Sequence, residues 1–171
     1  IEYKNIELIF LIYDNLVYAL KEQPTDAKLK KVIIGLDDTD IPTEGATWTL
    51  ANNIANEIQE EKGYHYLEHI TCQLYPNNPN KTKNCVSIIL VFAVKEEEKE
   101  DLISSVKSKL KEKTLSENTA FVVYEKLEIP EAVQQYGLEA KKSMKYLDEA
   151  KRIAEENNIR VEYVTGEGGL I

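Results

Sequence analysis

The chain has 171 residues, enough for one domain with a full core and short for two. It is 43% hydrophobic and 30% charged with a formal net charge of −9, the balance expected of a soluble globular protein. That charge excludes a broad basic footprint for nucleic acid. No apolar run approaches the roughly 18 residues a bilayer requires and no signal-peptide pattern occurs, which excludes a membrane-spanning helix.

Residues 1–23 are rich in Ile, Leu and Tyr. Ile6, Ile9, Tyr13, Leu16, Val17 and Leu20 fit a helical stripe, and a strand at 7–13 followed by a helix fits almost as well. Either face needs a partner surface, the main domain or a second copy, so a homodimer through residues 6–20 is an expectation. Pro24 to Lys30 reads as a polar linker, dividing an N-terminal extension (1–30) from a main domain (31–171). The chain opens at Ile1 and stops after Gly168-Gly169 at Ile171, and reads as a segment of a longer polypeptide.

Lys31 to Thr49 is the stretch the remainder is arranged around. Val32-Ile33-Ile34-Gly35-Leu36 is an apolar, β-branched run that predicts a strand buried on both faces. It ends in Asp37, Asp38 and Asp40, three carboxylates within four residues. An amphipathic helix then begins after Gly45, with a stripe of Leu50, Ile54 and Ile58 and with Ala51 and Ala55 beside it. Crowded carboxylates repel unless protonated, spread into solvent or bound to a cation. Oxygen ligands of this kind suit magnesium, with phosphates completing the shell, and a helix N-terminus offers N–H groups to an anion. The bland alternative is a solvated acidic turn with Asp and Thr capping a helix.

Gly63 predicts the end of that helix, and Tyr64 to Leu74 a second strand. Tyr75 to Asn84 is a loop full of turn formers, and Cys85 to Val94 the most apolar strand of the chain. A polar helix with the stripe Leu102, Val106 and Leu110 follows; the run Glu96 to Asp101 is its solvated start. Ala120 to Tyr124 is a further strand. The order βαββαβ predicts an α+β, ferredoxin-like core, two helices on one face of an antiparallel sheet, with the aspartate strand near its centre. Helices from Glu131 and over 144–157, the latter capped by Ser143, and a strand at Arg160 to Val164 are additional C-terminal elements.

Cys72 and Cys85 lie in strand-like runs rather than in CxxC spacing, and read as buried reduced thiols of an intracellular, cytoplasmic protein. His65 and His69 would point the same way on a strand without a third ligand, which makes a poor zinc site. Trp48 and the ten tyrosines could stack on bases, although core packing is their commoner use. Thr47 shares the stripe of Leu50, Ala51 and Ile54 and should face the sheet, with Thr49 turned about 200° away.

At these residues the chain resembles the catalytic domain of archaeal tRNA(Ile) 2-agmatinylcytidine synthetases. The family's Gly-Ile-Asp-Asp-Thr-Asp is matched by Gly35-Leu36-Asp37-Asp38-Thr39-Asp40, followed by Gly45 and by Thr47 and Thr49 at the helix start. Its Leu-Asn-Pro-Asn-x-Pro-x-Lys-Thr-Arg-Gly-Asn loop resembles Leu74 to Asn84, one residue shorter here. Asn118-Thr119 and Gly168-Gly169-Leu170-Ile171 are similar to weaker family blocks. The chain also resembles the methanogenesis marker protein 11 group.

The resemblance implies an ATP- and magnesium-dependent, kinase-like enzyme that phosphorylates a cytidine ring oxygen before agmatine displaces the phosphate. It implies Asp37, Asp38 and Asp40 as metal ligands, Asp37, Asp38, Lys81 and Thr47 as catalytic residues, and Thr39, Gly45, Thr49, Thr82, Lys83 and Asn84 as nucleotide contacts. The family's autophosphorylated threonine falls on Thr47 or Thr49 according to where a gap is placed. Lys83 stands where the family has Arg and cannot grip a phosphate bidentately. The 75–84 loop is expected to fold back over the Asp37–Asp40 turn, bringing Lys81 to the carboxylates. Nucleotide is the expected partner, with tRNA reached through flanking segments.

Two other classes compete with this one. A non-catalytic nucleotide-binding or interaction module would keep the fold and bind ATP without turnover. A haloacid dehalogenase-type phosphatase is suggested by Asp38-Thr39-Asp40, but Pro42 stands where that signature needs Thr, and the element order is wrong for its core.

Because a net charge of −9 repels a polyanion everywhere except near Lys81 and Lys83, this chain alone should bind tRNA weakly. In a gel shift at physiological salt we expect no complex at micromolar protein. A tight complex there would show that the lysine loop suffices without flanking segments.

Overall fold

The computed structural model describes residues 28–167. Residues 1–27 of the N-terminal extension, with its 6–20 face, and the closing Gly168 to Ile171 block lie outside the described residues. Five strands and four helices follow in the order β1 (Leu29–Asp37), α1 (Thr47–Lys62), β2 (His65–Gln73), β3 (Val86–Lys95), α2 (Lys99–Lys113), β4 (Ala120–Tyr124), α3 (Glu131–Ala140), α4 (Leu147–Glu156) and β5 (Arg160–Tyr163). A short 3-10 turn, Glu96–Glu98, leads into α2. The strands form one sheet in the order β2-β3-β1-β4-β5, antiparallel throughout. This is the expected ferredoxin-like core, with β1 central and β5 added beside β4. The strand β1 begins at Leu29, inside the segment read as linker.

The alternation of apolar residues decides which face is covered. Val32, Ile34 and Leu36 of β1, Ile88, Leu90, Phe92 and Val94 of β3, and Phe121 and Val123 of β4 all enter one core. The same core holds Ala51, Ile54, Ala55 and Ile58 of α1 and Leu102, Ile103, Val106 and Leu110 of α2, so both helices lie on that face. Their outer edges are laced by ion pairs from Lys109 and Lys113 of α2 to Glu57 of α1, with Lys109 also reaching Glu61. Gly63 ends α1 in the left-handed conformation, at φ 73°, and its N–H donates to the Gln59 carbonyl.

Two local expectations fail for physical reasons. His65 pairs with Ala93 but His69 with Leu90, because a bulge between Tyr66 and Glu68 shifts the register. One extra residue moves the later side chains to the other face, so the two histidines face opposite sides of the sheet. Ser143 does not cap α4: its hydroxyl donates back to the Glu139 carbonyl at the end of α3, and the N-cap of α4 is Tyr146.

Strand direction then assembles the site. The register pairs Leu36 with Ile88, Asp37 with Ala120, Gln73 with Val86 and Ala120 with Tyr163. The end of β1, the β2–β3 loop, the α2–β4 loop and the tail of β5 therefore emerge together at one end of the sheet.

Ile34 is fully buried at the centre of β1, just before Gly35-Leu36 and the acidic turn. Ile34→Ala should cost about 2–5 kcal/mol in chemical denaturation. A loss under about 1 kcal/mol would mean that β1 is not the core strand its register makes it.

Candidate functional site

At the end of β1 the chain turns sharply. Asp38 adopts a left-handed backbone, φ 53°, a conformation Asp tolerates better than most residues. Its N–H donates to Asp37 Oδ1 at 2.7 Å. The Asp38 carbonyl accepts from Thr119 Oγ1 at 2.6 Å, and the Thr39 carbonyl from Thr114 Oγ1 at 3.2 Å and from Leu115 N–H at 3.0 Å. The Thr114 and Thr119 hydroxyl oxygens also lie 2.5 Å apart, so their two protons are shared among these three contacts. On the opposite side Thr39 N–H and Oγ1 both donate to Thr47 Oγ1, at 3.3 and 3.1 Å. Thr39 is 2% exposed, and Thr47 is buried as its place on the α1 stripe requires. Thr49 is exposed.

The next residues close a small hairpin, Ile41 and Glu44 exchanging both backbone hydrogen bonds at 3.0 and 3.2 Å. Gly45 follows at φ 84°, and a Cβ there would come within 3.0 Å of Asp40 Cβ and 3.1 Å of Leu115 Cδ1. Glycine is therefore needed for both the turn and the close approach.

The 75–84 loop folds back onto this turn. Thr82 Oγ1 donates to Asp40 Oδ1 at 2.7 Å, and Lys83 Nζ to the Gly45 carbonyl at 3.0 Å. Lys81 does not meet the carboxylates as expected: its amine donates to the Pro76 carbonyl inside its own loop, and it forms no ion pair with Asp37, Asp38 or Asp40. Contact with the acidic turn falls instead to its neighbours Thr82 and Lys83. Asn84 is exposed beside them, its carbonyl accepting from Val86 N–H. The turn is anchored from the remaining side by the tail of β5, where Thr165 Oγ1 accepts from Thr119 N–H at 2.9 Å.

The electrostatics follow from crowding. The Asp37 carboxyl is pushed up to about 8, by burial first and then by the charges of Asp38 and Asp40, against the Asp38 amide that lowers it. Asp38 is raised by burial and by Asp40. Asp40, 7% exposed, spends one oxygen on Thr82. Among the described residues no three His, Cys, Asp or Glu side chains are arranged to hold a metal ion. The donor set that remains, two crowded carboxylates with nearby hydroxyls and backbone oxygens, has the chemistry of a magnesium site. Such sites take one or two carboxylates and complete the shell with water and substrate phosphates.

Thr114 and Thr165 are residues a reading of the sequence misses, and Thr119 stands out there only through the resemblance of Asn118-Thr119 to a family block, without a role. Each lies 75 or more positions from the Asp-Asp-Thr turn it supports, so no local spacing marks it.

Comparison with known proteins places these features. Residues 33–100 match the family model described as the TiaS TCKD domain. An uncharacterised protein of Methanocaldococcus jannaschii is 49% identical over 151 residues, covering 88% of this chain and 50% of that protein. The chain thus spans about half the length of that curated relative. A crystal structure of TiaS in complex with an isoleucine tRNA and ATP is similar with a TM-score of 0.71 at 21% identity, covering 82% of this chain and 34% of that one. A crystal structure described as a tRNA fluorescent labeling enzyme matches at 0.69 and 22%, over 82% of this chain and 34% of that one. At that identity the likeness is one of fold, and it agrees with the family match, which takes in the Asp-Asp-Thr-Asp strand: residues 33–100 form a TiaS-related segment of the chain.

Proposed function

We propose that this domain uses ATP and magnesium to transfer a phosphoryl group to an oxygen of an RNA base or of an amide-like small molecule. The observation that carries the reading is the meeting, at one end of the sheet, of the Asp37–Asp40 turn, the start of α1 and the lysine-bearing 75–84 loop. The structurally similar TiaS is described in complex with an isoleucine tRNA and ATP, and with that tRNA, AMPCPP and agmatine, which supports a nucleotide as the ligand class.

In this reading Asp37 and Asp38 would hold magnesium, and Asp40 would support the site from the Thr82 hydroxyl that it accepts. The metal's contribution is to neutralise charge that spreads over the transferred oxygens. The acceptor oxygen forms a new bond to phosphorus as the bond from that phosphorus to its bridging oxygen breaks. A carbonyl oxygen of an amide-like acceptor carries no proton, so this step needs no general base. Lys83, seated on the Gly45 carbonyl, and Lys81, once released from the Pro76 carbonyl, would meet phosphate as point charges. Gly45 keeps the start of α1 open to phosphate, and Thr49, Thr82 and Asn84 offer further hydrogen bonds, while Thr39, buried and spent on Thr47, shapes the turn rather than touching the nucleotide. Thr47 acts through Thr39, fixing the backbone of the acidic turn. A tRNA acceptor would take its phosphate contacts from segments outside the described residues, and a homodimer would be built on residues 6–20.

One observation favours the quieter alternative, a nucleotide-binding module without turnover. Both loop lysines are engaged by backbone carbonyls, Lys81 by Pro76 and Lys83 by Gly45.

Calorimetry with magnesium and a non-hydrolysable ATP analogue tests the shared premise, and turnover of ATP separates the two readings. Asp38→Asn should weaken the magnesium–nucleotide complex about tenfold or more, one lost charge-assisted ligand being worth about 1.5–3 kcal/mol. Unchanged affinity would remove the acidic turn from nucleotide binding altogether.

A further inference from the structure

We propose that the exposed face of Trp48 is a stacking shelf for a planar nucleobase, built on His69 and set beside the acidic turn. The proposal deepens the phosphate-site reading and rests on it only for where the phosphate end of the ligand lies. Trp48 is the chain's only tryptophan, and it is 59% exposed. It is the second residue of α1, directly after Thr47, whose hydroxyl holds the Thr39 end of the acidic turn. A step of one residue along a helix turns the side chain by about 100°, away from the sheet core that Thr47 faces. The indole meets His69 of β2 there, the ring centroids 5.3 Å apart and the planes inclined by 34°.

The supporting side of this pair is organised. His69 Nδ1 lies 3.4 Å from Asn52 Oδ1, and Tyr66 Oη donates to the same oxygen at 3.4 Å. Tyr66 in turn packs on the core residue Phe92, with centroids 5.3 Å apart. His69 Nε2 is closed off from solvent without a hydrogen-bond partner. Burial lowers the His69 pKa, which favours the neutral ring under the indole. One face of Trp48 is thus backed by a fixed aromatic stack, and much of the ring is left to water. An apolar ring fixed in that way is a platform for another π-system, and every nucleobase presents one. Its place at the helix start, directly after the Thr47 that holds Thr39 of the acidic turn, is what suits a base attached to a phosphate, rather than an unrelated aromatic compound.

The base could belong to the phosphoryl donor or to the acceptor, and the same optical signal separates the two. Emission of the single tryptophan is followed during titration with adenosine, with cytidine, and with magnesium tripolyphosphate as a base-free control. We expect saturable quenching by at least one nucleoside and none by tripolyphosphate. A response to adenosine assigns the shelf to the donor, and a response to cytidine to the acceptor. In calorimetry Trp48→Leu should weaken binding of the corresponding nucleotide roughly 5- to 100-fold, and Trp48→Phe should retain most of it. No quenching by either nucleoside, or full nucleotide affinity in a folded Trp48→Leu chain, overturns the proposal. Nucleosides carry no phosphate, so quenching that persists in Asp38→Asn upholds the shelf even where the phosphate reading fails. Conversely, magnesium–ATP binding that spares Trp48 removes the shelf alone.

Discussion

Three carboxylates crowd into four residues at the end of the central strand, and the protein must hold them there against their mutual repulsion. It does so through the backbone rather than by pairing the charges. The Asp38 and Thr39 carbonyls are caught by Thr119, Thr114 and Leu115, and the Thr39 amide and hydroxyl by Thr47. Fixing the main chain from both sides leaves the Asp37 and Asp38 side chains without a cation, and burial drives both toward the protonated form. In the proposed function a divalent ion with its phosphates would let them ionise. The strained turn and the raised carboxyl groups are thus two consequences of one constraint, the kind of local cost that functional sites carry.

The remaining architecture serves that turn. The ferredoxin-like order places four connections at the same end of the sheet, so hydroxyl groups remote in the chain converge on two residues. The 75–84 loop is drawn down by Thr82 on Asp40 and Lys83 on Gly45. Lys81 and Lys83 are the only lysines in the loop, and with a net charge of −9 they stand against a broadly acidic chain. Local positive charge of this size suits a mononucleotide better than a long polyanion.

The fold was legible because its signals are periodic. The α1 stripe recurs every three or four residues and the strand–helix order allows few topologies; the run Val32 to Leu36 marks a strand, but its apolar continuity implies burial on both faces where only Val32, Ile34 and Leu36 are buried. Thr47 was legible for the same reason, since helical spacing alone directs it to the sheet. The two histidines were misread because a bulge is a matter of register, which composition does not carry. Lys81 and Lys83 share one charge, and only the path of the loop decides which of them reaches the turn. The tethering role of the threonines behind Asp38 and Thr39 is not legible even where Thr119 itself stands out, because hydroxyl tethers between residues so remote in the chain leave no spacing. Trp48 was noticed as an aromatic residue, but its partnership with His69 depends on how α1 lies across the edge strand.

The measurement that bears most directly on the account is a crystal structure of this chain soaked with magnesium and a non-hydrolysable ATP analogue. The account predicts metal within coordination distance of Asp37 or Asp38, and phosphates between the start of α1 and the 75–84 loop. Nucleotide bound elsewhere on the sheet, with the Asp37–Asp40 turn unchanged and free of metal, would contradict it.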